Sequence, residues 1–222
     1  MPRKRRVAIL ISGRGSNMLS LIEAARDPDY PAEIVGVLSN RPEATGLARA
    51  RDAGVAVHCI DHKAYPDRET FERDFDAALA RHEPDILCLA GFMRMLTPWL
   101  IERWQARMIN IHPSLLPLFK GLHTHRRALE AGMRIHGCSV HYVVPELDSG
   151  PIIAQAAVPV LPGDTEDTLS ARVLRQEHVL YPLALRLVAS GRVRLQDGRV
   201  ELDADWDEKA ALVSPSAACS KG

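Results

Sequence analysis

The sequence predicts an α/β protein built on a Rossmann-like, mostly parallel sheet with helices on both faces. Three observations predict it. Val7-Ala8-Ile9-Leu10-Ile11 is a continuous apolar run ended by Ser12-Gly13, the pattern of a strand buried on both sides. Similar runs alternate with segments of helical apolar spacing through the first half of the chain, which implies right-handed crossovers and parallel pairing. Finally, 222 residues with 46% apolar content can bury one sizeable core without a second domain. The chain is therefore read as one domain over residues 1–205, with halves at 7–107 and 108–205. A polar tail at 206–222 is expected to be disordered.

Each element has its own signal. After the first strand, Ser12-Gly13-Arg14-Gly15-Ser16-Asn17 forms a glycine turn, and Met18, Leu19, Ile22 and Ala25 then fall at helical spacing. Ile34 to Ser39 reads as a strand, Gly46 to Ala53 as a helix stopped by Gly54, and Val55 to Ile60 as another strand. Asp67 to Ala80 carries Phe71, Phe75, Ala78 and Leu79 on one helical face, and Ile86 to Ala90 is a fourth strand. Thr97 and Pro98 suit the cap and first turn of a helix through Trp104. Met108 to Ile111 is a fifth strand, and Pro113 keeps it from continuing. A helix capped by Thr124 runs through Glu130, and strands follow at Cys138 to Val144 and Ile152 to Val160. Asp164 or Thr165 caps a long amphipathic helix ending near Ser190-Gly191, and Val193 to Val200 turns on Asp197-Gly198 as a hairpin.

Composition excludes several function classes. The 28 basic and 28 acidic residues cancel, so there is no broad field to attract nucleic acid or a membrane surface, and a small substrate is expected. Pro2-Arg3-Lys4-Arg5-Arg6 is a basic arm of the kind that is usually solvated. The apolar run after it is too short for a signal peptide or a span, and the four cysteines are scattered, so a cytoplasmic protein with free thiols is expected. His112, His123, His125, His136 and His141 crowd one region but lack the spacing of zinc motifs, so no metal is expected.

The chemistry concentrates between Met108 and Ile153. Asn110 and His112 alternate with Ile111, so both point the same way from the carboxyl end of a strand, where open α/β sheets bind ligands. An amide donor beside an imidazole suits the holding of an oxyanion. Pro145-Glu146-Leu147-Asp148-Ser149-Gly150-Pro151 is a proline-bracketed turn that can aim a carboxylate at a histidine, orienting it and favouring its charged form. The glycine turn at Gly13 to Asn17 can cradle a phosphate at a helix N-terminus, although a tight turn with no ligand explains the glycines equally well. Met18 stands where a dinucleotide fingerprint needs a third glycine, and the Walker lysine is missing, so a phosphate monoester fits better than NAD or ATP.

Asn110-Ile111-His112-Pro113-Ser114-Leu115-Leu116-Pro117, Phe119-Lys120-Gly121 and Glu146-Leu147-Asp148-Ser149-Gly150-Pro151 resemble the signature of the folate-dependent formyltransferases. The likeness runs from Val7 to about Gly191. It implies that Asn110, His112 and Asp148 are the catalytic trio and that Gly15, Ser16, Asn17 and Glu177 hold a phosphorylated ribotide. It also implies a pterin ring lying along Met93, Arg94, Met95 and Leu96 and along Val144, Pro145, Glu146 and Leu147, with Arg68 near the folate tail. Taken without the resemblance, the methionines could equally be core filler. The implied reaction moves the formyl group of 10-formyltetrahydrofolate, as a cosubstrate, to the amine of glycinamide ribotide, with no metal, in a monomer or homodimer. Rival readings are a formyltetrahydrofolate hydrolase, a transfer-RNA formyltransferase, which would need a basic extension, and a non-catalytic nucleotide-binding module.

Overall fold

A computed structural model of the chain describes residues 3–203 and 214. The expected disorder at 206–222 lies outside the described residues, Ser214 apart. The chain runs β1 (Arg5–Ile11), α1 (Ser16–Ala25), β2 (Ala32–Ser39), α2 (Gly46–Asp52), β3 (Val57–Cys59), α3 (Arg68–Ala80), β4 (Ile86–Leu89), α4 (Pro98–Arg103) and β5 (Met108–His112). It continues through α5 (Thr124–Glu130), β6 (Ile135–Tyr142), β7 (Ile152–Pro159), α6 (Glu166–Ala189), β8 (Val193–Gln196) and β9 (Arg199–Leu202).

Seven strands form one sheet in the order β3-β2-β1-β4-β5-β6-β7, and β8 and β9 pair separately. Pairing is parallel from β3 to β5 and antiparallel for β5 with β6 and β6 with β7. The fully buried run of β1 has a direct cause in this layering. Val7, Ile9 and Ile11 join Met18 and Leu21 of α1 and Tyr181 and Leu185 of α6 on one face. Ala8 and Leu10 join Phe71, Phe75 and Leu79 of α3 and Leu100 and Trp104 on the other. A strand covered on both sides has no polar face to show, so alternation disappears.

Strand order reverses between β1 and β4, which opens a crevice at their carboxyl ends. The loops after β1, β4 and β5 all emerge on that edge. Ser12 joins two of them, its hydroxyl accepting from the backbone N–H of Met93 at 2.8 Å and donating to Asn40 Oδ1 at 2.6 Å.

Several boundaries differ from the sequence expectation. β6 starts at Ile135 rather than Cys138, because Gly137 and His136 conceal a strand whose glycine meets the carbonyl of Ala156, where a Cβ would sit 2.0 Å away. Thr124 does not cap α5; His123, with φ 58°, precedes the helix, and Thr124 is its buried first residue. β3 contracts to Val57–Cys59. For α6 the cap is Thr165, in a reciprocal box with Thr168, while Asp164 is held by Arg172 at 2.7 Å.

Candidate active site

β5 and β6 set the centre of the site by register. Asn110 lies opposite His141, and His112 lies opposite Ser139. Pro113 ends β5 immediately after His112, so the chain leaves the sheet there and returns the carbonyl of Phe119 to the imidazole: His112 Nε2 donates to it at 3.0 Å. The other ring nitrogen, Nδ1, lies 3.4 Å from Asp148 Oδ2. Both nitrogens of this buried ring therefore face acceptors.

Asp148 reaches this position through its turn. Its own backbone is left-handed, with φ 47°, a conformation that aspartate tolerates better than most residues and that is often found at functional sites. Two residues on, Gly150 lies against the backbone of Tyr142 so closely that a Cβ would come within 1.7 Å of the Tyr142 carbonyl oxygen. The turn is thereby pressed onto β6, and the carboxylate accepts from the backbone N–H of Gly121 at 2.8 Å while Oδ1 lies 3.8 Å from His141 Nε2. His141 is 3% exposed, and burial pushes its ring below the ordinary histidine value, with Asp148 acting in the opposite direction.

The loop after β1 builds a second wall. Gly15 adopts φ 68° as the residue before α1, and a Cβ there would crowd Met18 at 3.0 Å and Gly46 at 3.2 Å. No side chain caps α1, so the first-turn N–H groups of Ser16 and Asn17 keep their capacity to bind an anion. Asn17 Nδ2 donates to Glu177 Oε2 at 2.6 Å, which joins this loop to the middle of α6. Burial pushes the Glu177 carboxyl up, and the Asn17 hydrogen bond counters part of that.

A cleft opens between the Gly91 to Leu96 loop and the Asp148 turn. Arg94, Met95 and Leu96 line one side, Val144, Pro145 and Leu147 the other, and Asn110 and Asp148 its end. Arg94 stacks its guanidinium over Phe71 at 4.9 Å and leaves a buried Nε without a partner. Met93 and Glu146 are exposed and do not line the cleft, and Arg68 lies outside it at the start of α3, close enough to lower the Arg94 pKa after burial has done so. Phe92, Leu89 and Ile101 line the cleft without having been singled out from sequence. His141, weighed from sequence only as a possible metal ligand, is more consequential: its pairing with Asn110 was not legible. Among the described residues, no group of three or more histidine, cysteine, aspartate or glutamate side chains is arranged to hold a metal ion, and no helix is long and apolar enough to cross a membrane.

Comparison with known proteins places this geometry. The model of the formyl transferase family matches residues 5–185. The chain is 46% identical over 197 residues to the phosphoribosylglycinamide formyltransferase of Escherichia coli (strain K12), which spans 89% of this chain and 93% of that protein. It is 50% identical over 200 residues to the trifunctional purine biosynthetic protein adenosine-3 of Bos taurus, covering 90% of this chain but only 20% of that protein, about a fifth of its length. The crystal structure of phosphoribosylglycinamide formyltransferase from Brucella melitensis is 56% identical, with a TM-score of 0.82, and the alignment covers 85% of this chain and 97% of that one. The chain belongs to the formyl transferase family.

Proposed function

We propose that the chain transfers the formyl group of 10-formyltetrahydrofolate to the amine of 5-phosphoribosylglycinamide, giving 5-phosphoribosyl-N-formylglycinamide and tetrahydrofolate in purine biosynthesis. The observation that carries this reading is that one edge of the sheet holds both an uncapped glycine loop suited to a phosphate and the Asn110, His112 and Asp148 cluster. Water, the acceptor in the rival hydrolase, has no use for the first of these.

The geometry supports the following roles. The ribotide phosphate takes the N–H groups at Gly15, Ser16 and Asn17, and Glu177 accepts from hydroxyls of the sugar. The pterin lies in the cleft between Arg94, Met95 and Leu96 on one side and Val144, Pro145 and Leu147 on the other, with Arg68 toward the anionic tail of the folate. The amine nitrogen attacks the formyl carbon, a C–N bond forms, and negative charge collects on the former carbonyl oxygen. Asn110 Nδ2 donates to that oxygen. His112 Nε2 is committed to Phe119, so Nδ1 is the nitrogen that meets the reacting atoms and Asp148. As the bond to the folate nitrogen breaks, that nitrogen gains a proton and the attacking amine loses one, with His112 and Asp148 moving protons between them. The chain works as a single formyltransferase domain, its first half supplying the ribotide wall and its second the catalytic residues.

The reading is tested by incubating the protein with glycinamide ribotide and 10-formyltetrahydrofolate and following both products. Formylated ribotide and tetrahydrofolate should appear in equal amounts. Consumption of the folate at the same rate without ribotide would establish the hydrolase instead.

A further inference from the structure

We infer that His141 is a positioning residue for Asn110, accepting a hydrogen bond from its side-chain amide and so aiming the second amide N–H at the reacting oxygen. The inference rests on the formyl-transfer reading for its consequence but on local geometry for its substance.

Tautomer and amide orientation follow in sequence from the contacts. His141 Nδ1 lies 2.9 Å from the carbonyl oxygen of Tyr142, which can only accept, so Nδ1 carries the hydrogen. In a neutral ring Nε2 is then a bare lone pair that can only accept. The side-chain atom of Asn110 that faces it at 3.2 Å must therefore be the amide nitrogen, because the amide oxygen in that place would set two acceptors against each other. One hydrogen of the amide is used by His141, and the other is left for the site. Register fixes the pair, since Asn110 and His141 are directly opposite on β5 and β6.

Without this acceptor, Asn110 is free to turn its amide over and present its oxygen to a developing oxyanion, which would repel it. A protonated His141 would impose that turn, because its Nε2–H would seek the Asn110 oxygen. The charged and titratable groups that face the ring are Asp148, from the turn before β7, and His112, from β5. Burial opposes the cation most strongly and His112 opposes it too, while the hydrogen bond to the Tyr142 carbonyl and the Asp148 carboxylate favour it; the net shift is downward, which keeps the acceptor available at neutral pH.

Two measurements on the full chain test this. With the histidine rings labelled with nitrogen-15, long-range proton–nitrogen NMR of the unliganded protein near neutral pH should show His141 protonated at Nδ1 and bare at Nε2. An Nε2-protonated or doubly protonated ring would overturn the inference whatever reaction the protein performs. In kinetics, His141→Leu removes the acceptor and should lower kcat by roughly tenfold to a hundredfold, the scale of a misplaced reacting group, with both KM values little changed. His141→Gln keeps an acceptor near the Nε2 position and should restore most of that loss. Equal losses in the two variants, or an unchanged kcat in His141→Leu, would overturn it.

Discussion

The two walls of the crevice are made in different ways. The phosphate wall is largely backbone: one turn, Gly15 to Asn17, supplies its donors, and a single long-range bond from Asn17 to Glu177 ties it to α6. The catalytic wall is side chains gathered from separate places, Asn110 and His112 from β5, His141 from β6, Asp148 from the turn before β7, and the Phe119 carbonyl from the loop after β5. The difference teaches what each wall can lose. A backbone wall fails only when its φ angles fail, whereas a gathered wall fails one side chain at a time.

The largest effect should come from the catalytic wall. Asn110→Ala removes an oxyanion donor and should lower kcat about a hundredfold to a thousandfold while the thermal midpoint barely moves. A folded Asn110→Ala protein with near-normal kcat would return that residue to a structural role and leave the comparison with only one functional wall.

Protonation separates the walls next. Burial holds His136, beneath the catalytic loop, down to about 4 from its ordinary 6.5, and His125 and His141 are held down for the same reason. Such rings are neutral in the folded chain at pH values where the unfolded chain has already bound a proton. Stability therefore falls as pH drops below about 6.5, and for His136 the loss levels off near 4. Glu177 has the opposite sign: burial raises its carboxyl, so its unfavourable contribution grows as pH rises above the usual carboxylate range. His136→Phe, which keeps the edge contacts with Phe119 and His125, should lose less stability than the unsubstituted chain on acidification from about pH 7.5 to about pH 5, by up to about 2 kcal/mol. Urea unfolding at the two pH values measures it, and identical losses in both proteins would show that His136 is not an acid-sensitive point of this wall.

A much smaller effect is expected where α6 meets the end of α1. Arg186 pairs with Asp27 at 3.4 Å and lies over the Tyr30 ring at 4.8 Å, but both charged partners are about half exposed. Arg186→Gln should cost less than about 1 kcal/mol and leave both KM values unchanged. A cost of several kcal/mol would mean that the phosphate wall depends on α6 more than the Asn17 to Glu177 bond conveys.

The same contrast explains what was legible in the sequence. Strand, glycine turn and helix are consecutive, so β1, its loop and α1 could be read from Val7 to Ala25 with no knowledge of the fold. Asn110 and His112 were legible as a pair because period-two alternation and Pro113 act locally. Asp148 could be reached as a candidate because its turn is bracketed by prolines. What could not be read was register. That His141 opposes Asn110 follows from an antiparallel pairing set by the whole β5 to β6 connection, and no local pattern encodes it. Capping failed at α5 for a related reason: Thr124 has the side chain of a cap, but the left-handed Phe119, Gly121 and His123 in the loop deliver the chain so that Thr124 is already helical and buried.

Whether two walls serve two ligands is decided by calorimetric titration of Gly15→Val with glycinamide ribotide and, separately, with tetrahydrofolate. A side chain at φ 68° against Met18 and Gly46 must displace the turn that presents the Ser16 and Asn17 N–H groups. Ribotide affinity should collapse while folate affinity stays close to that of the unsubstituted chain. Equal weakening of both ligands would contradict that division.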